Sequence, residues 1–142
     1  MGTTVLIGCS KSKLDHCAPA RDFYQGTIFK KSLAAARELY PNASIYVLSA
    51  KYGLVPIDEV LCPYDETLNG KRANVIKNWA AKVIKQMEKI GIDPQNDTFI
   101  VFAGEKYRKY LPLANATNMF AGCSGIGEIL KKLNQLTNIN SK

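Results

Sequence analysis

Short apolar runs along the chain alternate with longer stretches in which apolar residues recur every three or four positions. Val5-Leu6-Ile7-Gly8 is a brief apolar run closed by glycine, as expected of a strand buried on both faces. Ile28, Leu33, Ala36 and Leu39 then recur near helical spacing. They predict a helix from Tyr24 or Thr27 to Leu39, ended by Pro41-Asn42. Ser44 to Leu48 reads as a second buried strand. Lys71 to Ile90 is strongly amphipathic, with Val75, Trp79, Val83, Met87 and Ile90 on one stripe. Gly91 caps that helix and Pro94 prevents its return. Thr98 to Phe102 reads as a third buried strand and Glu105 to Tyr110 as a short helix stopped by Pro112. Thr117 to Phe120 reads as a fourth strand. Ser124 is placed to N-cap a last helix through Leu136, and residues 137–142 read as a frayed tail. Cys9 to Asp22 and Ser49 to Asn69 read as irregular. The second carries Gly53, Pro56 and Pro63, and loops of that length are often functional.

The order β-α-β-loop-α-β-α-β-α predicts an α/β fold. The expectation is a single three-layer domain over residues 1–142, with a mostly parallel four-stranded sheet and helices on both faces. Ligands of such sheets lie beyond the carboxyl ends of the strands. The segments expected there are Cys9-Ser10-Lys11, Ser49-Ala50-Lys51-Tyr52-Gly53, Ala103-Gly104-Glu105-Lys106-Tyr107-Arg108 and Ala121-Gly122-Cys123-Ser124-Gly125. All four are small, polar or basic, and their agreement locates the site.

Ser10, Ser49 and Ser124 each follow a predicted strand, where hydroxyls and free amides bind anionic groups. Lys11, Lys13, Lys51 and Arg108 would add charge suited to a phosphate or phosphodiester. Singly, each serine reads equally as a helix cap and each lysine as a solvated side chain. Together they favour phosphate. Gly122 to Gly127 is glycine-rich but lacks the Gly-Lys-Ser/Thr of a phosphate loop and the place of a dinucleotide fingerprint. Close approach to a ligand and helix-to-sheet packing account for it equally.

The carboxylates nearest the expected site are Asp58, Asp65, Glu66 and Glu105. Asp65 stands beside Tyr64 in Pro63-Tyr64-Asp65-Glu66-Thr67. A carboxylate there suits cleavage of an N-glycosidic bond, whose transition state gathers positive charge on the sugar and needs an oriented water. A turn aspartate satisfying its own backbone is the alternative. Tyr24, Tyr52, Tyr64 and Tyr107 sit at loop edges, where rings among lysines stack on bases or simply pack at the sheet rim.

The net charge of +7 and pI near 9.3 favour polyanionic partners. Lys77, Lys82, Lys85 and Lys89 read as solvating an outer helix face. No run approaches the ~18 apolar residues of a membrane span, and the N-terminus reads as a strand, not a signal peptide. A soluble, cytoplasmic protein is expected. The four cysteines, Cys9, Cys17, Cys62 and Cys123, lack the close spacing of zinc or redox motifs, so reduced thiols are expected. His16 beside Cys17 leaves a metal site built from separate loops open. A lone histidine argues against a multi-histidine centre and a Ser-His-Asp triad. Cys9 reads as a nucleophile or as an inert buried thiol. No cofactor and no resident metal are expected.

Gly8-Cys9-Ser10-Lys11-Ser12-Lys13, Phe23-Tyr24-Gln25-Gly26-Thr27-Ile28-Phe29 and Leu48-Ser49-Ala50-Lys51-Tyr52-Gly53-Leu54-Val55 are followed in order by Pro63-Tyr64-Asp65, by Phe102-Ala103-Gly104-Glu105-Lys106-Tyr107-Arg108 and by Gly125-Ile126-Gly127. This series resembles a family of small bacterial and phage proteins of unknown function, distantly similar to the peroxide-stress protein YaaA. The Cys-Ser-x-x-Lys opening also looks like the accessory domain of archaeal tRNA-guanine transglycosylase and archaeosine synthase. The resemblance spans Val5 to about Leu133 and implies work on nucleic acids, modified bases or N-glycosidic bonds. The chain is shorter than YaaA and has no obvious helix-hairpin-helix insert.

The leading expectation is therefore an N-glycosidase or DNA glycosylase acting on a nucleotide or nucleic-acid base. Asp65, Tyr64 and Ser49 would be catalytic. Cys9, Ser10, Lys11, Lys13, Lys51 and Tyr52 would hold substrate and phosphate, together with Gly53, Gly104, Tyr107, Arg108, Ser124 and Gly125. The expected partner is nucleic acid, DNA before RNA, or a nucleotide. A non-catalytic nucleic-acid or nucleotide binder, or a cysteine-based metal or redox sensor, are the alternatives.

Overall fold

A computed structural model describes residues 2–140. The apolar runs form the middle of one five-stranded sheet, not the four-stranded sheet expected. In chain order its strands are β1 (Thr3–Gly8), β3 (Ser44–Ser49), β4 (Gly53–Pro56), β6 (Thr98–Phe102) and β7 (Asn115–Asn118). The spatial order is β4-β3-β1-β6-β7. β1 pairs in parallel with β3 and β6, and β6 with β7, while β4 runs antiparallel to β3 at one edge. Two very short strands, β2 (Ala18–Pro19) and β5 (Val60–Leu61), pair antiparallel outside the main sheet.

The fifth strand and the β2–β5 pair lie within segments that read as irregular. Leu54 and Val55 are almost fully buried in β4. Their short apolar stretch follows β3 too closely to announce itself by periodicity. The last strand spans Asn115–Asn118, short of the expected Thr117–Phe120, and Phe120 turns into the core beyond it.

The helices are α1 (Ala20–Phe23), α2 (Thr27–Leu39), α3 (Ala73–Lys89), α4 (Glu105–Arg108) and α5 (Ile126–Asn140). α5 continues through Thr137 to Asn140. Thr137 Oγ1 donates to the Leu133 carbonyl at 3.2 Å. Residues 141–142 lie outside the described part.

Successive β1 side chains enter two different core clusters, as a strand's period of two dictates. Val5 and Ile7 pack with Phe29, Leu33 and Ala36 of α2 and Leu133 of α5. Leu6 packs with Trp79, Val83 and Met87 of α3. The phase of α3 differs slightly from the stripe expected. Ile76, Trp79, Ala80, Val83 and Met87 face the sheet, while Val75 and Ile90 are 43% and 54% exposed. No helix among the described residues is long and apolar enough to cross a membrane.

Candidate functional site

Parallel pairing puts the carboxyl ends of β1, β3 and β6 on one edge of the sheet. The Cys9 amide continues the ladder there, donating to the Leu48 carbonyl at 3.0 Å. Two adjoining hollows open at this edge. One is a polar cleft of about 250 Å³ lined by Cys9, Ser10, Lys11, Lys13, Asp65, Glu66, Thr67, Asn69 and Tyr107. The other, of about 420 Å³, has an apolar floor of Ile28, Phe102, Phe120 and Ile129, with Ala103, Gly104, Glu105 and Lys106 at its side. Cys9, Asn69 and Tyr107 border both. The larger hollow falls within the ~300–1,000 Å³ usual for a small-molecule site.

Tyr64 holds the middle segment against the sheet edge. Its hydroxyl lies 2.6 Å from the Tyr24 hydroxyl and 3.0 Å from Ser49 Oγ. Ser49 Oγ also accepts the Tyr52 amide at 3.0 Å, and the Ser49 carbonyl accepts Trp79 Nε1 at 2.8 Å. Tyr24 and Ser49 are fully buried. Burial pushes the Tyr24 phenol up to about 12, only partly offset by its hydrogen bond to Tyr64. Burial, and then the nearby Cys9 sulfur, raise the Tyr64 and Tyr107 phenols further. All three phenols are therefore neutral at physiological pH. Cys9 Sγ lies 3.5 Å from the Tyr107 hydroxyl, to which the Leu68 amide also points at 3.5 Å.

Two lysines bracket this network. Lys13 Nζ sits 4.7 Å from the centre of the Tyr64 ring and donates to the Lys11 carbonyl at 3.2 Å. Lys51 Nζ lies 6.0 Å from the same ring and 5.2 Å from that of Tyr52. Residues from four segments that are remote in sequence thus meet around Tyr64 and Cys9. Thr67, Asn69 and the buried hydroxyl of Tyr24 belong to the same neighbourhood, though sequence reasoning did not select them as site residues. A polar segment leading into a helix was the available signal for the first two. The anchoring role of Tyr24 depends on a long-range contact with Tyr64 that no local pattern carries.

Other selected residues stand elsewhere or are engaged otherwise. Ser10 lines the cleft, but its hydroxyl donates to the Ser12 carbonyl at 2.7 Å and accepts the Gly26 amide at 3.2 Å. Gly53 is buried at φ +77°, and an added Cβ would lie 2.2 Å from Gln86 Oε1. Gln86 bridges the Leu54 amide (2.8 Å) and the Tyr52 carbonyl (2.9 Å), so Gly53 makes room for a tie between α3 and β4. The Arg108 Nε is buried without a hydrogen-bond partner among the described residues, and Arg108 lines neither hollow. Ser124 and Gly125 are exposed and also lie outside both. The Ser124 amide and hydroxyl both donate to Glu128 in the first turn of α5. Asp58 is paired with Arg21 away from the cleft.

Cys17 and Cys62 form a disulfide, where reduced thiols were expected. The β2–β5 pairing brings their Cα atoms within 4.1 Å across 45 positions of sequence. Cys9 and Cys123 are free. His16 lies beside Asp15 at 2.9 Å and holds that carboxyl below its ordinary range.

Comparisons with curated proteins and with solved structures gave no match. A family model matches residues 4–135, nearly the whole chain, and the protein therefore belongs to the family of unknown function DUF6884.

Proposed function

We propose that the protein is an N-glycosidase that releases a base from a nucleotide or nucleic acid. The observation that carries this reading is the meeting of Asp65, Lys11 and Lys13 in one polar cleft that opens onto an apolar cavity. The apolar floor of Phe102, Phe120 and Ile129 suits a flat base. Asn69 and Tyr107, at the boundary, are placed to read its edge. Lys11 and Lys13 suit the phosphate. Asp65 would then face the sugar, where its carboxylate stabilises the oxocarbenium-like transition state or orients the attacking water. Leaving-group departure transfers the bonding electrons to the base nitrogen, water supplies the hydroxyl to the anomeric carbon, and the water's other proton passes by way of the Asp65 carboxylate to the released base. Tyr64 and Ser49, bonded to each other, act as positioning residues that fix the turn carrying Asp65. A base held in a duplex must be flipped out to enter such a cavity.

The test is a product assay. The protein is incubated with natural and modified DNA, RNA and free nucleotides, and released bases are sought by mass spectrometry. Asp65→Asn is expected to lower release by at least 100-fold, in line with the 10²–10⁴-fold typical of a positioned acid or base, while leaving binding intact. Release that survives the substitution would remove Asp65 from the mechanism. Binding with no release from any substrate would make the site a binding module.

A further inference from the structure

The chain's net charge is not spread over its surface. Residues 71–89 carry Lys71, Arg72, Lys77, Lys82, Lys85 and Lys89 against Glu88 alone. Residues 105–109 carry Lys106, Arg108 and Lys109 against Glu105. These two segments therefore hold nine cations and two carboxylates, a surplus of seven that equals the formal charge of the whole chain. The remainder is balanced, ten against ten. Both segments pack in the same core cluster, through Trp79 and Val83 of α3 and Tyr107 of α4. Lys77, Lys82, Lys85 and Lys89 are exposed on α3, and Lys82 Nζ donates to the Lys51 carbonyl at 3.0 Å, at the flank that meets the β3–β4 turn. Among the described residues the only ion pair in either segment is Lys109 with Glu105 at 3.8 Å.

We infer that this α3–α4 face is the docking surface for the phosphate backbone of a nucleic-acid polymer, so that the base processed in the cleft belongs to a strand and not to a free nucleotide. Processing of that base rests on the glycosidase reading; binding of the strand to this surface does not. Lys77 to Lys89 span about 18 Å of helix axis at 1.5 Å per residue, the length of about five phosphates at 3.4 Å per strand position. One end of this face adjoins the site. Lys106 borders both the apolar cavity and a neighbouring hollow of about 270 Å³ shared with Lys71, Lys109 and Tyr110. There Lys77 Nζ and Lys109 Nζ lie 5.2 and 5.5 Å from the centre of the Tyr110 ring, the mixture of ring and cation found where bases stack. A membrane surface fits less well. Interfacial helices insert an apolar face, and the apolar stripe of α3 is turned into the protein core.

The experiment measures binding alone, by fluorescence anisotropy of labelled 20-nucleotide single-stranded and duplex DNA across a range of NaCl. The variants are Lys77→Gln/Lys82→Gln/Lys85→Gln/Lys89→Gln and a control that removes equal charge from α2 and α5, Lys30→Gln/Lys31→Gln/Lys131→Gln/Lys132→Gln. The α3 variant is expected to weaken binding at least tenfold at low salt and to flatten the slope of log K against log salt by about three to four, since each lost phosphate contact contributes ~0.7–0.9. The control is expected to change either quantity little. Equal losses in both variants, no loss in the α3 variant, or loss of binding to phosphatidylserine vesicles with DNA binding intact would each overturn the proposal. DNA binding that depends on α3, with no base released by the wild type, would uphold the surface and remove only the glycosidase reading.

Discussion

Tyr64 shows how one side chain can decide the geometry of the cleft. Its hydroxyl meets two others, those of Tyr24 and Ser49, that are sealed from water. Three hydroxyls joined by two links have one hydrogen to spare. If Tyr24 and Ser49 both donate, it falls on the half-buried Tyr64, which alone of the three has partial access to solvent. Tyr64→Phe strands the buried Tyr24 hydroxyl and leaves Ser49 Oγ with the Tyr52 amide alone, and a buried polar group left unsatisfied costs roughly 1–3 kcal/mol. We expect a loss of about 2–3 kcal/mol in denaturant unfolding and, because Asp65 follows directly, a fall in kcat larger than any change in KM. The same network sets an alkaline limit. The Tyr24 phenol is raised in the folded protein from 10.0 to about 12, so the folded state holds its proton more tightly than the unfolded chain. That contribution is complete below pH ~10 and is lost as pH rises towards ~12. A Tyr24→Phe variant should show a shallower fall in stability between these values, measured by urea midpoints at stepped pH. An unchanged pH profile would mean that the phenol is not the group responsible.

At the scale of elements, the β2–β5 pair and its disulfide clamp the chain just before Pro63-Tyr64-Asp65. A covalent link across 45 positions removes unfolded-state entropy worth about 4 kcal/mol in the chain-entropy account, with ~2–4 kcal/mol typical in practice. Cys17→Ser/Cys62→Ser, or reduction by dithiothreitol, should lower the unfolding free energy by that amount and loosen the turn carrying Asp65, which hydrogen exchange at Tyr64 to Thr67 would detect. An unchanged exchange rate would confine the disulfide to global stability. This clamp could not be read from sequence, because two-residue strands have no period and the pairing of Cys17 with Cys62 depends on a fold-level contact. Long elements were legible for the converse reason. Val5 to Gly8 and Thr98 to Phe102 are continuous apolar runs that only a doubly covered strand uses, and α2 was placed at its observed end. The phase of α3 was misjudged because Val75 and Ile76 both suit a stripe, and only packing under Trp79 chooses Ile76. The edge residues Cys9, Lys11, Lys13 and Tyr107 were legible because the strand order alone sends their segments to one side, whereas Asp65 reaches the cleft beside the anchored Tyr64. Gly53, Ser124 and Gly125 looked equivalent in sequence, yet they serve the Gln86 tie and the start of α5.

For the whole molecule, a ligand that binds this site only in the folded chain should stabilise the entire fold. At a concentration of 100 times its Kd a ligand adds about 2.7 kcal/mol, which for a chain of this size raises Tm by several degrees. Gly104 gives a way to separate that binding from folding. It lines the apolar cavity, its φ is −71°, and a Cβ built on it meets nothing within 4 Å. Gly104→Leu should therefore leave the ligand-free Tm almost unchanged, within the ~0.5 kcal/mol usual for an unconstrained surface position, while filling the space assigned to the base. Gly53→Leu is the opposite case. Its φ of +77° and the Gln86 carbonyl 2.2 Å from any Cβ should destabilise the ligand-free protein outright. Thermal melts of wild type and both variants, with and without millimolar deoxynucleoside monophosphates, make the comparison. A ligand-induced rise present in wild type and missing in Gly104→Leu would place the base over Phe102 and Phe120. A rise that persists undiminished in Gly104→Leu would move the base out of that cavity, towards the polar cleft at Lys11 and Lys13 or the hollow at Tyr110.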